Sequence, residues 1–158
     1  MIGIIGAMDE EVSKIKAAMT DVEIQKRAGM DFYKGKLQGK EAVVVRCGIG
    51  KVNAALCGQI LADFYQVDYM VNTGIAGSLN ANIDIGDIVL STDALQHDMD
   101  ATGFGYEVGV IPRMPVSVFE ADRHLIDLAK EACEKVNPDI KVFTGRVVSG
   151  DQFVSDKE

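Results

Sequence analysis

Four short stretches hold most of the residues able to do chemistry, and each turns on glycine: "GAMDEE" at 6–11, "CGIGK" at 47–51, "TGIAG" at 73–77 and "SGDQF" at 149–153. In the first, Asp9, Glu10 and Glu11 follow an apolar run at once. Two readings of these acids stand side by side. Acids in the first turn of a helix are stabilised by its macrodipole, each by roughly 0.3–1 kcal/mol. Alternatively, one carboxylate just beyond a strand's C-terminal end acts as general base toward a water.

The other stretches exclude as much as they suggest. "CGIGKVNAA" lacks the phosphate loop G-x-x-x-x-G-K-[ST], because Val45 stands at the first glycine position and Val52 follows Lys51. Asn53 at the third glycine position breaks the dinucleotide pattern as well. The turn can still let a ligand approach its backbone. "QHDMD" brings His97, Asp98 and Asp100 together, but with two histidines in the chain and no second cluster a solvated loop is the simpler reading, and no metal is expected. Ser149 and Asp151 have no G-x-S-x-G elbow around them. His124 falls in a helix among acids and reads as an exposed face residue. Phe104 and Tyr106 lie in a glycine-rich loop, where they either pack the loop or offer a platform for a ring, in this subunit or a partner's.

These stretches need a frame to hold them. A chain of 158 residues, 47% hydrophobic and 25% charged, is long enough for one domain with a real core. Its net charge of -8 argues against nucleic acid, which needs a basic footprint, and against an anionic membrane surface. A neutral or zwitterionic small molecule suits it better. The three cysteines form no C-x-x-C pair, as in a reduced protein. No apolar run approaches the roughly 20 residues of a membrane span, and the start has no basic region of a signal peptide, so the cytoplasm is the expected location.

The pattern predicts a buried strand over 1–6, then a helix from Asp9 with Val12, Ile15 and Met19 on one stripe. A hairpin follows, entering through Tyr33 and Lys34, turning at Gln38-Gly39 and returning over 42–46. A helix over 51–65 is predicted to carry Val52, Leu56, Ile60 and Phe64 inward. Strands at "DYMVNTG" and "GDIVLSTDAL" precede a loop from about His97 to Pro115. A helix over 120–136, with Leu125, Leu128, Ala129 and Ala132 at helical spacing, leads to a last strand at "IKVFTGRVVSG". The alternation implies one α/β domain with a mixed sheet, whose ligands bind at the carboxyl ends of the strands.

Taken in order, "IGIIGAMDEEV", "CGIGKVNAA", "NTGIAGSL", "IGDIVLS", "DATGFGYEVG" and "VVSGDQFV" closely resemble the 5′-methylthioadenosine/S-adenosylhomocysteine nucleosidases of the purine nucleoside phosphorylase superfamily. The resemblance runs from Met1 to Val154. It implies a three-layer αβα fold around a central mixed twisted sheet, and hydrolysis of the N-glycosidic bond to release adenine and a thioribose, without metal or cofactor. It implies that Glu11 activates water, with Ala7 and Met8 beside it and Ile49, Ile75, Ala76 and Gly77 on the sugar and base floor. It further implies that Phe153 stacks on adenine, that the Val154 backbone bonds the purine, and that Ala101, Phe104 and Pro112 reach across a homodimer to cover the alkylthio group. Ile75 stands where other members can carry a hydroxyl residue. An acid at position 11 suits water and would repel the phosphate that a phosphorylase must hold, which sets the nucleosidase above its phosphorylase relatives.

The ending "FVSDKE" holds a capping-box pattern, Ser155-x-x-Glu158, which predicts the start of a helix. The resemblance implies that a helix, a ribose-binding segment and the aspartate that protonates adenine lie beyond it. Residues 1–158 are thus expected to form a single α/β domain cut short at its C-terminal end, inactive or poorly soluble alone. A nucleoside phosphorylase and a non-catalytic nucleoside-binding fragment are the alternative readings.

Overall fold

The structure, a computed structural model, describes residues 1–155. Glu158, the partner that the capping-box expectation gives to Ser155, lies outside the described residues. The chain forms two compact units, Met1–Ala76 and Gly77–Glu158.

The first unit is built on a five-stranded mixed sheet in the order β2-β3-β4-β1-β5. Its strands are β1 (Ile2–Gly6), β2 (Met19–Arg27), β3 (Met30–Leu37), β4 (Lys40–Arg46) and β5 (Tyr69–Asn72). β1 lies parallel to both β4 and β5, while β2, β3 and β4 form an antiparallel meander. Two tight turns join that meander, Ala28-Gly29 and Gln38-Gly39. Both residues of each have positive φ, 47° and 78° in the first and 48° and 78° in the second. That backbone matches the right-handed twist of the flanking strands.

Helices cover the two faces of this sheet. α1 (Asp9–Ala17) packs Val12 onto Val44 and Ala42. α2 (Lys51–Asp63) packs Cys57 and Leu61 with Ile5, Val43, Val45 and Phe32 on the other side. Four consecutive residues of β4, Ala42 to Val45, are buried because neighbouring side chains point to opposite covered faces.

Three expectations are corrected here. Met19 is not on the first helix, which ends at Ala17; it opens β2 and is buried against the α1 face. β2 itself carries almost no buried side chain, so it left no alternating apolar signal. On α2, Ile60 packs against the core as expected, but Val52 and Leu56 point outward while Cys57 and Leu61 point inward. Just past its end Phe64 is exposed and Tyr65 buried. Both stripes are apolar and lie one residue apart, so composition could not choose between them.

The second unit has a three-stranded sheet, β7-β6-β8, made of β6 (Ile88–Gln96), β7 (Phe119–Glu120) and β8 (Val142–Ser149). β6 and β8 run parallel, with an irregularity between Ser91 and Ala94. α3 (Arg123–Val136) lies against β6 and β8. It starts at Arg123, not Glu120, because the Asp122 carboxylate accepts the Leu125 N–H at 2.9 Å as its N-cap, while Glu120 pairs with Asp93 in the sheet. Its buried residue is Ile126, and Leu128 and Ala132 are exposed. A single 3₁₀ turn, Thr102–Phe104, punctuates the loop after β6.

Candidate active site

The site in the first unit grows from the turn between β1 and α1. Parallel pairing puts the carboxyl ends of β4, β1 and β5 side by side. It continues past them: Cys47 N–H donates to the Gly6 carbonyl and Thr73 N–H to the Ile5 carbonyl, both at 2.9 Å. The chain then leaves β1 into α1 and leaves β5 into Gly74 and Ile75, so the two exits face each other.

Glu11 fills the space between them. Its Oε2 accepts the N–H groups of Ala7 at 2.7 Å and Met8 at 2.9 Å, and its Oε1 accepts the Ile75 N–H at 3.1 Å. The Met8 N–H is a donor that a helix start leaves without an intrahelical partner and the Ala7 N–H lies one residue before it, so Glu11 caps its own helix from the third position. The third comes from the other exit and ties the two together. Gly74 makes this approach possible: a Cβ there would stand 2.5 Å from Oε1 and 3.0 Å from Cδ of Glu11.

The three acids have separate tasks. Asp9 turns away to Arg46 Nε at 3.3 Å and Lys16 Nζ at 3.8 Å, and Lys16 lies 4.5 Å over the Tyr33 ring. Glu10 joins Glu11 on the cleft. That cleft, about 480 Å³, is lined by Met8, Glu10, Glu11, Thr73, Gly74 and Ile75. Among the described residues its lining holds two carboxylates and no cation. Cys47 lies buried behind it, its Sγ 3.0 Å from the Gly48 carbonyl; burial pushes the thiol up, and the nearby Glu11 charge adds to that.

Of the positions expected from sequence, Ala7, Met8, Glu11 and Ile75 are thus brought together. Ile49 is 76% exposed in the turn before α2, outside the cleft lining, with its carbonyl accepting from Asn53 Nδ2 at 2.7 Å. Ala76 and Gly77 follow Ile75 as exposed chain. In the second unit Phe153, 95% exposed, and Val154 follow β8, Ala101 and Phe104 bound the 3₁₀ turn, and Pro112 lies in the loop beyond it. Thr73 and Gly74 were missed as site residues. Their one signal was a glycine directly after a strand.

Comparison with known proteins bears on what this arrangement is for. The chain matches the family model of the phosphorylase superfamily over residues 1–158. It is 44% identical to the 5′-methylthioadenosine/S-adenosylhomocysteine nucleosidase of Marinomonas sp. over 156 residues, covering 99% of this chain and 67% of that one. The chain belongs to this nucleosidase family. The nucleosidase of Staphylococcus saprophyticus is 46% identical, covering all of this chain and 68% of its own length.

Among solved structures, the nucleosidase of Colwellia psychrerythraea in complex with adenine superposes with a TM-score of 0.90 at 45% identity, covering 96% of this chain and 62% of that one. The nucleosidase of Neisseria meningitidis in complex with methylthio-immucillin-A gives 0.91 at 37% identity, with 97% and 65% covered. The chain therefore spans about two thirds of the length of the nucleosidases it matches. The mixed α/β architecture is that of the nucleosidases, as the sequence led one to expect. Among the described residues no helix is long and apolar enough to cross a membrane.

Proposed function

We propose that this chain serves the hydrolysis of the N-glycosidic bond in 5′-methylthioadenosine and S-adenosylhomocysteine, releasing adenine and the thioribose. One observation carries the reading: the Glu11 carboxylate is fixed at the cleft by three backbone donors. A carboxylate offers about four acceptor positions. Among the described residues, Ala7 and Met8 take both on Oε2, and Ile75 takes one on Oε1. One position on Oε1 is left to take a proton from water. As the water oxygen bonds to the anomeric carbon, its proton passes to Oε1. The C–N bond breaks with its electron pair leaving on adenine. Adenine takes a proton from a general acid and Glu11 then releases its own to solvent, so the water ends as OH on the sugar and H on the base.

The cleft lining also weighs against phosphorolysis. Phosphate transfer needs cations and free N–H donors at the nucleophile's place. Here Glu10 and Glu11 face the cleft, while Arg46 and Lys16 are engaged by Asp9. The family assignments in the second unit belong to the same proposal: Phe153 stacks on adenine and the Val154 backbone bonds the purine. So does a cytoplasmic homodimer in which Ala101, Phe104 and Pro112 cover a partner's alkylthio group.

The test is adenine release in phosphate-free buffer by the wild type and by Glu11→Gln, each in a complete chain. Gln retains an oxygen for the helix cap but is no base. Turnover should fall by ~10²–10⁴-fold, the usual contribution of a general base, with the fold retained. Release at the wild-type rate would leave Glu11 as a helix cap only. Release that requires phosphate would point to a phosphorylase.

A further inference from the structure

The exits of β6 and β8 are fastened together in a way that the reaction scheme above does not use. Parallel pairing ends at Gln96 and Ser149. The His97 N–H then donates to the Ser149 carbonyl at 3.0 Å. One residue further on, Asp98 Oδ2 accepts the Asp151 N–H at 2.8 Å. Gly150 passes between them so closely that a Cβ there would stand 2.9 Å from Asp98 Cγ and collide with the His97 ring. The first residues of "QHDMD" are therefore a seat for "SGDQ" rather than a loop apart.

Residues 150–155 form no strand or helix, so no ladder fixes their backbone. Phe153 is too exposed to be held by packing. The Asp151 N–H bond to Asp98 ties the chain just before the segment assigned above to adenine. We infer that Asp98 is a positioning residue for base binding: by holding the Asp151 backbone it sets where the Phe153 ring and the Val154 peptide stand. It does not touch the base. The inference rests on the assignment of Phe153 and Val154 to adenine.

The test compares wild type with Asp98→Ala, Asp98→Asn, Gly150→Ala and Phe153→Ala, each purified as a complete chain. Three readouts are taken: the Kd of adenine, KM against kcat for methylthioadenosine, and hydrogen exchange at the Asp151 amide. Asn keeps an acceptor for that amide, and Ala removes it. Asp98→Ala should weaken adenine about tenfold, the change expected for losing one hydrogen bond to a charged group. It should also raise KM more than it lowers kcat, and speed exchange at Asp151. Asp98→Asn should recover binding to within about threefold of wild type. Gly150→Ala keeps the acceptor but pushes the two exits apart, so it should weaken adenine in the same direction.

Adenine binding unchanged in Asp98→Ala and lost in Phe153→Ala would overturn the inference. So would an Asn variant as weak as the Ala variant, since the acceptor would then not be what matters. Wild-type binding by Phe153→Ala would instead remove the base-site assignment, and this inference with it. The exchange rate at Asp151 would still report the bond itself.

Discussion

Gly74 has no side chain where Glu11 needs the room. This is the tightest constraint in the candidate site, and it can be probed by adding one carbon. Gly74→Ala places a Cβ 2.5 Å from Oε1, inside any real contact, so the carboxylate or the β5 exit must shift. Misplacing a reacting group by about 1 Å costs on the order of 10²-fold. Turnover should fall on that scale while far-UV circular dichroism stays that of the wild type. Glu11, Met8 and Ile75 were named through the family resemblance; read alone, the acids fit a helix's first turn as well. The role of Gly74 was not legible, because the contact it permits joins residues 63 positions apart and arises only when β1 and β5 pair. The separate tasks of Asp9 and Glu11 were hidden for the same reason: what distinguishes them is Arg46 at the end of β4 and Ile75 in the chain leaving β5.

At the scale of elements, the helix α2 tests which face is inside. Leu61 is fully buried between α2 and the sheet, whereas Val52 is 72% exposed. Leu61→Ala should cost about 2–5 kcal/mol in chemical denaturation. Val52→Ala should stay within about 0.5 kcal/mol. The reverse order would restore the stripe read from the sequence. Strands with an apolar run, such as β1 and β4, were readable because a sheet covered on both faces draws consecutive side chains inward. β2 was not, since it is held by its ladder with β3 and buries little of its own. The second hairpin turn was readable from Gln38-Gly39, and the first, Ala28-Gly29, repeats its geometry without having drawn notice.

On the scale of the whole molecule, two expectations concern solution behaviour. Burial in the core pushes the Cys57 thiol up to about 12. An unfolded thiol releases its proton near the ordinary value of about 8.5. Between those values the unfolded state binds fewer protons than the folded one, so stability falls as pH rises. The denaturation midpoint should therefore drop above about pH 8.5, and Cys57→Ala should flatten that slope, leaving the parts due to Cys47 and Tyr65, which burial raises in the same direction. The second expectation concerns assembly. Phe104 is 88% exposed on its 3₁₀ turn. If it covers a partner's pocket as proposed, Phe104→Ala should weaken methylthioadenosine far more than adenine, by roughly 1.5–3 kcal/mol for the buried ring. Equal weakening of both ligands would assign the ring to loop packing.

The two hairpin turns have a consequence for how the protein ages. Their backbone is the kind that most favours Asn-Gly, yet the chain uses Ala28-Gly29 and Gln38-Gly39. Asparagine is thermolabile, and before glycine its side-chain amide is attacked by the following peptide nitrogen, converting it to aspartate and isoaspartate. Alanine has no amide to lose, and glutamine would need a larger, slower-forming ring. The chain accepts a left-handed backbone at two residues less suited to it. In return, the meander that carries β4 to the site is spared a chemical clock at both of its corners.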